Sequence, residues 1–379
     1  MNVNESYIPA PLYPQSPQIH KEKAAARRGR FPGDDRVPEP QRPLGRHESE
    51  LISMKERELV IVGGGPAGMA AALAAREAGV RDVLLLERDQ HLGGILNQCI
   101  HPGFGLHHFK TELTGPEYAD RFARLVKEDS GIEVSLRSFA VKLTADRRLS
   151  YLRPGALEEV KARAVILATG CRERTREMIP IPGTRPAGVY PAGLAQKMVN
   201  MEGWIPGRQA VIVGSGDIGL IMARRLALEG VAVKAVIEIQ KTSRGLVRNV
   251  VQCLEDFGIP LYFQHRVSMI YGRDRVEKVA VVKVGDDLKD IPGSGFEIPC
   301  DTVLVSVGLI PENELLEMAG AEIDRRTNTP VAKEVNLTSI PGVFACGNAF
   351  KVYDLADWVT RDSALAGKMA AQYLNGAAL

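Results

Sequence analysis

The stretch that determines the predicted fold is Glu58-Leu-Val-Ile-Val-Gly-Gly-Gly-Pro-Ala-Gly68. It begins with an apolar run typical of a buried parallel strand and ends in the pattern G-x-G-x-x-G. Glycines at these places allow a tight turn, let the backbone approach a pyrophosphate, and let the following helix pack closely on the strand. That helix points its N-terminal amides at the pyrophosphate. The residues predicted to form this cradle are Gly63, Gly65, Pro66, Ala67 and Gly68.

An acidic residue follows at the distance that such a turn requires. Residues 82–86 are predicted to form the next strand, and Glu87 comes directly after it, nineteen residues beyond Gly68. An acid at this place accepts hydrogen bonds from the ribose hydroxyls of a dinucleotide. The alternative is a ligand-free glycine turn and an ordinary exposed glutamate.

The same unit occurs a second time. An apolar run at 209–213 leads into Gly214-Ser-Gly-Asp-Ile-Gly219, a helix is predicted over 218–229, and the next strand ends at Glu238. Two copies predict an α/β protein with two Rossmann-like dinucleotide-binding domains. The residues predicted to form the second cradle are Gly214, Gly216, Asp217, Ile218 and Gly219.

Glu238 also bears on the choice of coenzyme. An acid at the end of this strand favours the free 2′-hydroxyl of NAD and repels the 2′-phosphate of NADP. Lys241 and Arg244, just beyond it, support the alternative, because their charges attract a phosphate. The motif therefore predicts NAD, with NADP as the less favoured coenzyme.

Three further motifs carry a resemblance to a known family. They are Val165–Gly170, Val303–Gly308 and Thr338–Asn348. Together with the two glycine turns, and in this order, they resemble the FAD-dependent pyridine nucleotide–disulfide oxidoreductase superfamily over residues 54–379. The resemblance implies FAD in the first domain and a nicotinamide dinucleotide in the second. It adds to the candidate cofactor-binding residues Gly94, Thr169, Gly170, Gly308, Gly347 and Asn348.

The resemblance also implies a domain order. The FAD-binding domain is expected at 54–185 and 309–379, with a three-stranded meander around 133–152, and the NAD(P)-binding domain, 186–308, is inserted in it. Residues 1–53 are rich in proline and in charges of both signs, with no regular period. Such a stretch buries too little apolar surface to offset its ordering entropy, so a disordered leader is predicted.

The chain departs from the best-known members of this superfamily, which pass electrons from flavin to a pair of cysteines. The five cysteines here are scattered, and none forms a C-x-x-C pair. Cys99 alone lies near the place, after Gly93-Gly94, where such a pair would face the flavin. Asn348 stands where the family usually has Asp. It keeps hydrogen-bonding capacity without the charge.

Cys99 and His101 are the candidates for catalytic chemistry. Cys99 could act as a lone redox thiol, and His101 could steer a proton at the flavin. The alternatives are a structural thiol and a loop that packs against the ring. Pro102 and Gly103 argue against a helix that opens at Cys99 and lowers its pKa. The charges of the last helix, Asp357 among them, either are solvated or line the flavin. No metal site is predicted, because no usual ligand spacing is matched by His101, His107 and His108.

The stretches Gly93–Gly105, Leu113–Tyr118 and Gly214–Met222 narrow the resemblance. They resemble the FAD/NAD subunits that accompany anaerobic glycerol-3-phosphate dehydrogenases, and they are similar to subunits of hydrogen cyanide synthase and opine oxidase. This implies an FAD-dependent NAD(P)H oxidoreductase that works in electron transfer beside a second flavoprotein dehydrogenase subunit. Assembly as a homo- or hetero-oligomer stays open. The alternatives are a free-standing NADH oxidase or single-cysteine reductase using Cys99, and a non-catalytic redox sensor or assembly module.

Composition limits the other possibilities. The 379 residues are 45% hydrophobic and 25% charged, with a net charge of +2. No basic stripe predicts nucleic-acid binding, and no apolar run approaches the ~18 residues of a membrane span. The five cysteines are scattered and odd in number, and this, together with the lack of a signal segment, predicts a cytoplasmic protein.

Overall fold

Short strands and helices alternate along the chain, in agreement with the predicted α/β class. The structure is a computed structural model that describes residues 55–332, 334 and 336–377, so the predicted leader lies outside the described residues. The first elements are β1 (Lys55–Val62), α1 (Pro66–Glu77), β2 (Val83–Leu86), β3 (Pro102–Phe104), β4 (Leu113–Thr114), α2 (Gly115–Glu128), β5 (Ile132–Ser135), β6 (Phe139–Leu143), β7 (Arg148–Arg153), β8 (Ala156–Leu167) and β9 (Cys171–Glu173).

The middle of the chain repeats the alternation. Its elements are β10 (Val189–Pro191), α3 (Ala192–Met201), β11 (Gln209–Val213), α4 (Asp217–Leu228), β12 (Ala232–Glu238), α5 (Val247–Cys253), β13 (Leu261–Phe263), β14 (His265–Gly272), β15 (Val276–Lys283), β16 (Phe296–Pro299), β17 (Thr302–Val305) and β18 (Leu309–Pro311). The last elements are α6 (Glu314–Met318), β19 (Ile323–Asp324), β20 (Thr329–Pro330), β21 (Val343–Ala345) and α7 (Ala356–Leu374).

The first sheet contains the strand that opens the first glycine turn. Its order is β5-β2-β1-β8-β7-β6, with β21 also paired to β8. The pairs β1/β2, β1/β8, β2/β5 and β8/β21 are parallel. The run Leu59–Val62 is buried, as expected for a strand covered on both faces of a parallel sheet.

Helices α1, α2 and α7 share one apolar core with this sheet. The alanines of α1 allow α7 to approach its backbone closely. A Cβ added at Gly367 of α7 would lie 2.2 Å from the carbonyl oxygen of Ala71, so the contact requires glycine. On the opposite face, apolar residues of the sheet, those of its antiparallel strands β6 and β7 included, share a second core with α6.

The second sheet carries the second glycine turn. Its five strands run in the order β10-β17-β11-β12-β13, and all its pairs are parallel. One face packs against α3, α4 and α5, and the other packs against the antiparallel sheet β14-β15-β16. This arrangement confirms the predicted second Rossmann-like domain.

The chain passes between the two sheets twice, and the two passages pair with each other. Strand β9 lies antiparallel to β18, with Ile310 opposite Arg172. Beyond β9, residues 179–188 contact the antiparallel sheet that packs on the second sheet. They form isolated β-bridges to Ile270 and Arg275. The domain boundaries at 185 and 309 stay a prediction.

The predicted meander is present, but its bounds were wrong. Residues Ile132–Ser135 form a parallel edge strand, and the three antiparallel strands are β6, β7 and the first half of β8. In the structure β8 has 12 residues, so its first half completes the meander while its second half pairs with β1.

Candidate functional site

The two glycine turns have the same structure. Gly63 and Gly214 both have positive φ, +109° and +98°. The amide of each donates a 2.8 Å hydrogen bond to the end of the neighbouring strand, at Leu86 and Ile237 respectively. An added Cβ would lie 2.3 Å from the carbonyl oxygen of Ala168 in the first turn and 2.1 Å from the carbonyl oxygen of Ser306 in the second. Only glycine fits either place.

The middle glycines leave room above each turn. Gly65 and Gly216 are the N-cap residues of α1 and α4, in extended conformations that any residue can adopt, and no side chain caps either helix. An added Cβ at Gly65 would come no closer than 3.9 Å to another residue, Gly94, and one at Gly216 would meet nothing within 4 Å. Both helices therefore present uncapped amides to an open cradle, which fits a pyrophosphate at each turn.

The two predicted acids are buried, each with 5% of its surface exposed. Glu87 Oε2 accepts a 2.7 Å hydrogen bond from the Gly64 amide. Glu238 Oε2 accepts from the amide and the hydroxyl of Ser215, at 2.9 and 2.6 Å. The alternative of an ordinary exposed glutamate is therefore wrong for Glu87. Each carboxylate also holds the second residue of its own glycine turn, a role that the sequence motif does not reveal.

Residues from distant segments converge on the first turn. A Cβ added at Gly94 would lie 3.1 Å from the Cα of Gly65, and one at Gly347 would lie 2.6 Å from the Cβ of Ala67. Asn348 accepts a 3.1 Å hydrogen bond from the Tyr353 amide. Its side-chain nitrogen lies 3.5 Å from the sulfur of Cys171, the residue after Gly170.

Two other predicted residues lie at the passages between the sheets. The hydroxyl of Thr169 donates a 2.6 Å hydrogen bond to the carbonyl of Glu312. The carbonyl of Gly308 accepts a 3.0 Å hydrogen bond from the Arg174 amide, which places Gly308 beside the paired strands β9 and β18. Gly308 has φ +106°, so the passage also requires a residue that tolerates positive φ.

Cys99 follows a short 3-10 helix, Gly94–Gln98, so the prediction that it does not open a helix is confirmed. Its thiol donates a hydrogen bond to the Ile95 carbonyl at 3.3 Å and lies 3.7 Å from Gln196 Oε1. Burial raises the pKa of the Cys99 thiol to about 12. The group is therefore a neutral thiol at physiological pH and a poor nucleophile.

A buried polar contact joins the same 3-10 helix to α3. The Gln98 side chain donates to the Gly193 carbonyl at 2.8 Å and to Gln196 Oε1 at 3.0 Å. Asn200 in turn donates to the Gln98 carbonyl at 2.8 Å. Gln98 is 7% and Gln196 is 3% exposed. The contact was not predicted, because nothing in either segment alone indicates the other.

The loop after Cys99 lies close to α5 of the second Rossmann-like domain. His101 Nδ1 lies 3.0 Å from the Pro102 carbonyl, and burial lowers the pKa of its imidazole, which is therefore neutral at pH 7. An added Cβ at Gly103 would lie 2.8 Å from the guanidinium of Arg248. The candidate His101 thus belongs to a segment between the two predicted dinucleotide sites.

The charges of α7 were predicted either to be solvated or to line the flavin. Asp357 is 3% exposed, and its carboxylate accepts hydrogen bonds from the amides of Gly105 at 3.2 Å and His108 at 2.9 Å. It is therefore not solvated, and it anchors the loop that begins at Cys99. Arg361, in contrast, pairs with Asp362 at 2.7 Å and lies over the ring of Trp358.

The described part of the chain contains neither a metal cluster nor a membrane-spanning helix. Among those residues no group of three or more His, Cys, Asp or Glu side chains is arranged to hold a metal ion. None of the helices found there has the length and apolar character to cross a membrane.

Comparison with known proteins identifies the family. The sequence profile of the pyridine nucleotide-disulphide oxidoreductase family matches residues 57–362. The chain belongs to this family. It is a flavin-dependent oxidoreductase that uses FAD and NAD(P)H. The predicted superfamily, the fold class, and FAD and a nicotinamide dinucleotide as cofactors are thereby confirmed. The preference for NAD over NADP stays a prediction.

Two of the predicted subgroups are found among its relatives. An opine oxidase subunit of Agrobacterium tumefaciens is 28% identical over 320 residues, which is 77% of this chain and 61% of that protein. Hydrogen cyanide synthase subunit HcnB of Pseudomonas protegens is 30% identical over 284 residues, 69% of this chain and 59% of that protein. The match thus spans about three fifths of each relative. Thioredoxin reductase of Listeria innocua is 26% identical over 84% of this chain and 93% of that protein.

Solved structures agree with the fold. Thioredoxin reductase of Lactococcus lactis gives a TM-score of 0.66 at 21% identity and covers 85% of this chain and 100% of its own. The NAD-dependent persulfide reductase from A. fulgidus gives 0.62 at 24% identity, covering 85% and 59%. At these identities the likeness concerns the fold alone.

Proposed function

We propose that this chain passes electrons between NAD(H) and FAD as one subunit of a heteromeric dehydrogenase, without a thiol intermediate. The observation that carries the proposal is the state of Cys99. Its thiol is half-buried, has a raised pKa and is hydrogen-bonded to Ile95, and all five cysteines of the chain are unpaired. A family member that reduces a disulfide needs a reactive thiolate beside the flavin, and this thiol does not provide one.

The first turn is the proposed FAD site. The uncapped amides of α1 fit the pyrophosphate, and Glu87 lies where the ribose hydroxyls bind in such a turn. Thr169, Gly170, Gly347 and Asn348 complete the proposed site from the carboxyl ends of the neighbouring parallel strands β8 and β21. The proposed FAD domain comprises 54–185 and 309–379.

The second turn is the proposed nicotinamide-dinucleotide site, within residues 186–308. The uncapped amides of α4 fit its pyrophosphate. The buried carboxylate of Glu238 favours an uncharged 2′-hydroxyl nearby, and this supports NAD over NADP. Bound FAD supplies the acceptor for a hydride from the nicotinamide. The protein positions both cofactors. His101 and Cys99 are neutral, so neither of them adds a charge to the segment between the two sites.

The partner is proposed to be a second flavoprotein dehydrogenase subunit of the glycerol-3-phosphate or the amino-acid and opine type. The support is the likeness to the opine oxidase protein and to HcnB of hydrogen cyanide synthase, both of which are named as subunits. The match spans only 61% and 59% of those proteins, so their activities are carried over as part of this proposal. The unpaired cysteines support the proposed cytoplasmic location.

The decisive experiment mixes the FAD-loaded protein with NADH without oxygen. NADH is expected to reduce the flavin and so to bleach its absorbance. The reduced protein should then be reoxidised by a soluble electron acceptor such as ferricyanide, and not by a disulfide. Reduction of the disulfide would establish the single-cysteine reductase instead. A flavin that NADH does not bleach would indicate the sensor or assembly module.

A further inference from the structure

An ion pair lies beside the proposed nicotinamide site, between two elements that are distant in the sequence. Lys241 follows β12, and Asp286 lies in the loop between β15 and β16. The Lys241 ammonium is 2.8 Å from the Asp286 carboxylate. Lys241 is one of the two cations beyond β12 that could attract a phosphate.

A chain of hydrogen bonds connects this pair to Glu238. Glu238 Oε1 accepts from the Gln240 amide at 2.8 Å, and the Gln240 carbonyl accepts from the Gln264 amide at 3.0 Å. The Gln264 side chain then donates to Asp286 at 3.2 Å. Asp286 is therefore held at the same edge as the acid that ends β12. Its ion-pair partner, Lys241, lowers the pKa of the Asp286 carboxyl, so the acid is charged at neutral pH.

We propose that Asp286 is a coenzyme-specificity residue: it holds Lys241 away from a 2′-phosphate and adds a second negative charge at this edge, so that NAD(H) is preferred to NADP(H). The proposal rests on the nicotinamide site proposed above. An ammonium free of its partner would offset the charge of Glu238 and attract a phosphate. Paired with Asp286, it leaves the charge of Glu238 uncompensated, and a dianionic phosphate is repelled.

The chain offers a matched control in the adjacent acid. Asp287 lies in the same exposed loop and pairs with Lys289 at 3.1 Å instead of with Lys241. Asp286→Asn and Asp287→Asn therefore remove the same charge one residue apart. The side chains of Asp286 and Asp287 are exposed, 74% and 59%, so neither substitution is expected to affect folding.

The test measures the dissociation constants of NADH and NADPH for the FAD-loaded protein by calorimetry at low ionic strength. For Asp286→Asn the ratio Kd(NADPH)/Kd(NADH) should fall about three- to ten-fold, the range expected when an exposed ion pair and a nearby like charge are removed. For Asp287→Asn the ratio should stay within about two-fold. In the double variant Asp286→Asn, Lys241→Gln, most of the change should disappear, because the freed cation is gone.

Equal changes in the two single variants, or a full effect that survives in the double variant, would overturn the role of Asp286. Failure of both coenzymes to bleach the flavin would contradict the proposed function while the binding ratio still decides the role of Asp286. If neither coenzyme binds, the proposed nicotinamide site and the proposed role of Asp286 are both wrong.

Discussion

Ser215 donates two hydrogen bonds to one oxygen of Glu238, from its amide at 2.9 Å and from its hydroxyl at 2.6 Å. In the first turn Gly64 donates only its amide to Glu87, at 2.7 Å. In both domains, the acid at the end of the strand that follows the glycine turn and its helix is thus part of that turn as well as a candidate ribose ligand. A substitution at either acid therefore changes the shape of the turn in addition to its charge.

This double role separates two variants of Glu238. Glu238→Gln keeps an acceptor for the Ser215 groups and removes the charge, whereas Glu238→Ala removes both. We expect Glu238→Ala to weaken NADH binding by about 1–3 kcal/mol, the range for a lost charged hydrogen bond. Both variants should bind NADPH better relative to NADH than the wild type does. Calorimetric titration of the FAD-loaded protein measures both effects, and a wild type that already prefers NADPH would contradict the assignment.

Valine at the middle glycines should separate the two cofactor sites. Gly65 and Gly216 have extended backbones and open space around an added Cβ, so Gly65→Val and Gly216→Val should both fold. The valine side chain fills the cradle in each case. We expect Gly65→Val to be colourless and Gly216→Val to stay yellow without an NADH response, as measured by visible absorbance. Exchanged phenotypes would reverse the assignment of the two sites.

A control for this pair comes from the first glycine of the motif. Gly63 has φ +109°, and an added Cβ would lie 2.3 Å from the Ala168 carbonyl oxygen. Gly63→Val should therefore yield unfolded or insoluble protein, because both the backbone and the space exclude a side chain. Circular dichroism distinguishes this loss of fold from the loss of FAD alone.

The glycine turns and their acids could be predicted from sequence because local conformation determines them. Positive φ at Gly63 and Gly214 and the helix starts at Pro66 and Asp217 follow from the motif itself. The first half of β8 could not be assigned, since its mostly exposed residues continue without a break into the buried second half of the same strand.

Contacts between segments that are distant in the sequence could not be predicted from local sequence patterns. Gln98 and Gln196 are 98 positions apart, and Asp357 binds an amide 252 positions away. A glutamine near a glycine-rich loop, or an aspartate in a helix, has the same local signature when it is solvated. Only the folded arrangement of the distant segments identifies these residues as buried partners.

The Gln98 contact should contribute measurably to stability. Gln98→Leu leaves the Gly193 carbonyl and the Gln196 side chain without their buried donor, and we expect a loss of about 1–3 kcal/mol in the free energy of unfolding. Urea denaturation of the FAD-loaded protein measures this loss. The matched control is Gln90→Leu, at an exposed position, which should change stability by less than about 0.5 kcal/mol. Equal effects would show that the contact adds little to the fold.

Cys99 separates the proposed function from its nearest alternative. With a pKa of about 12, the half-buried thiol should react slowly with iodoacetamide at pH 8, where an ordinary exposed cysteine is partly thiolate. Mass spectrometry of the folded, FAD-loaded protein measures this directly. Denatured protein serves as the control, because there all five cysteines should be alkylated.

Cys99→Ser replaces one atom and keeps a donor for the Ile95 carbonyl, so the loop should retain its structure. Electrons that pass directly from flavin to the partner do not need the sulfur, and NADH-dependent flavin reduction in stopped-flow measurements should stay within about three-fold of the wild-type rate, the change expected when no reacting group is removed. A redox thiol would instead give the reduced wild type a long-wavelength charge-transfer band. If that band is present and vanishes in Cys99→Ser, direct transfer is excluded, since its loss assigns the band to a Cys99 thiolate beside the flavin.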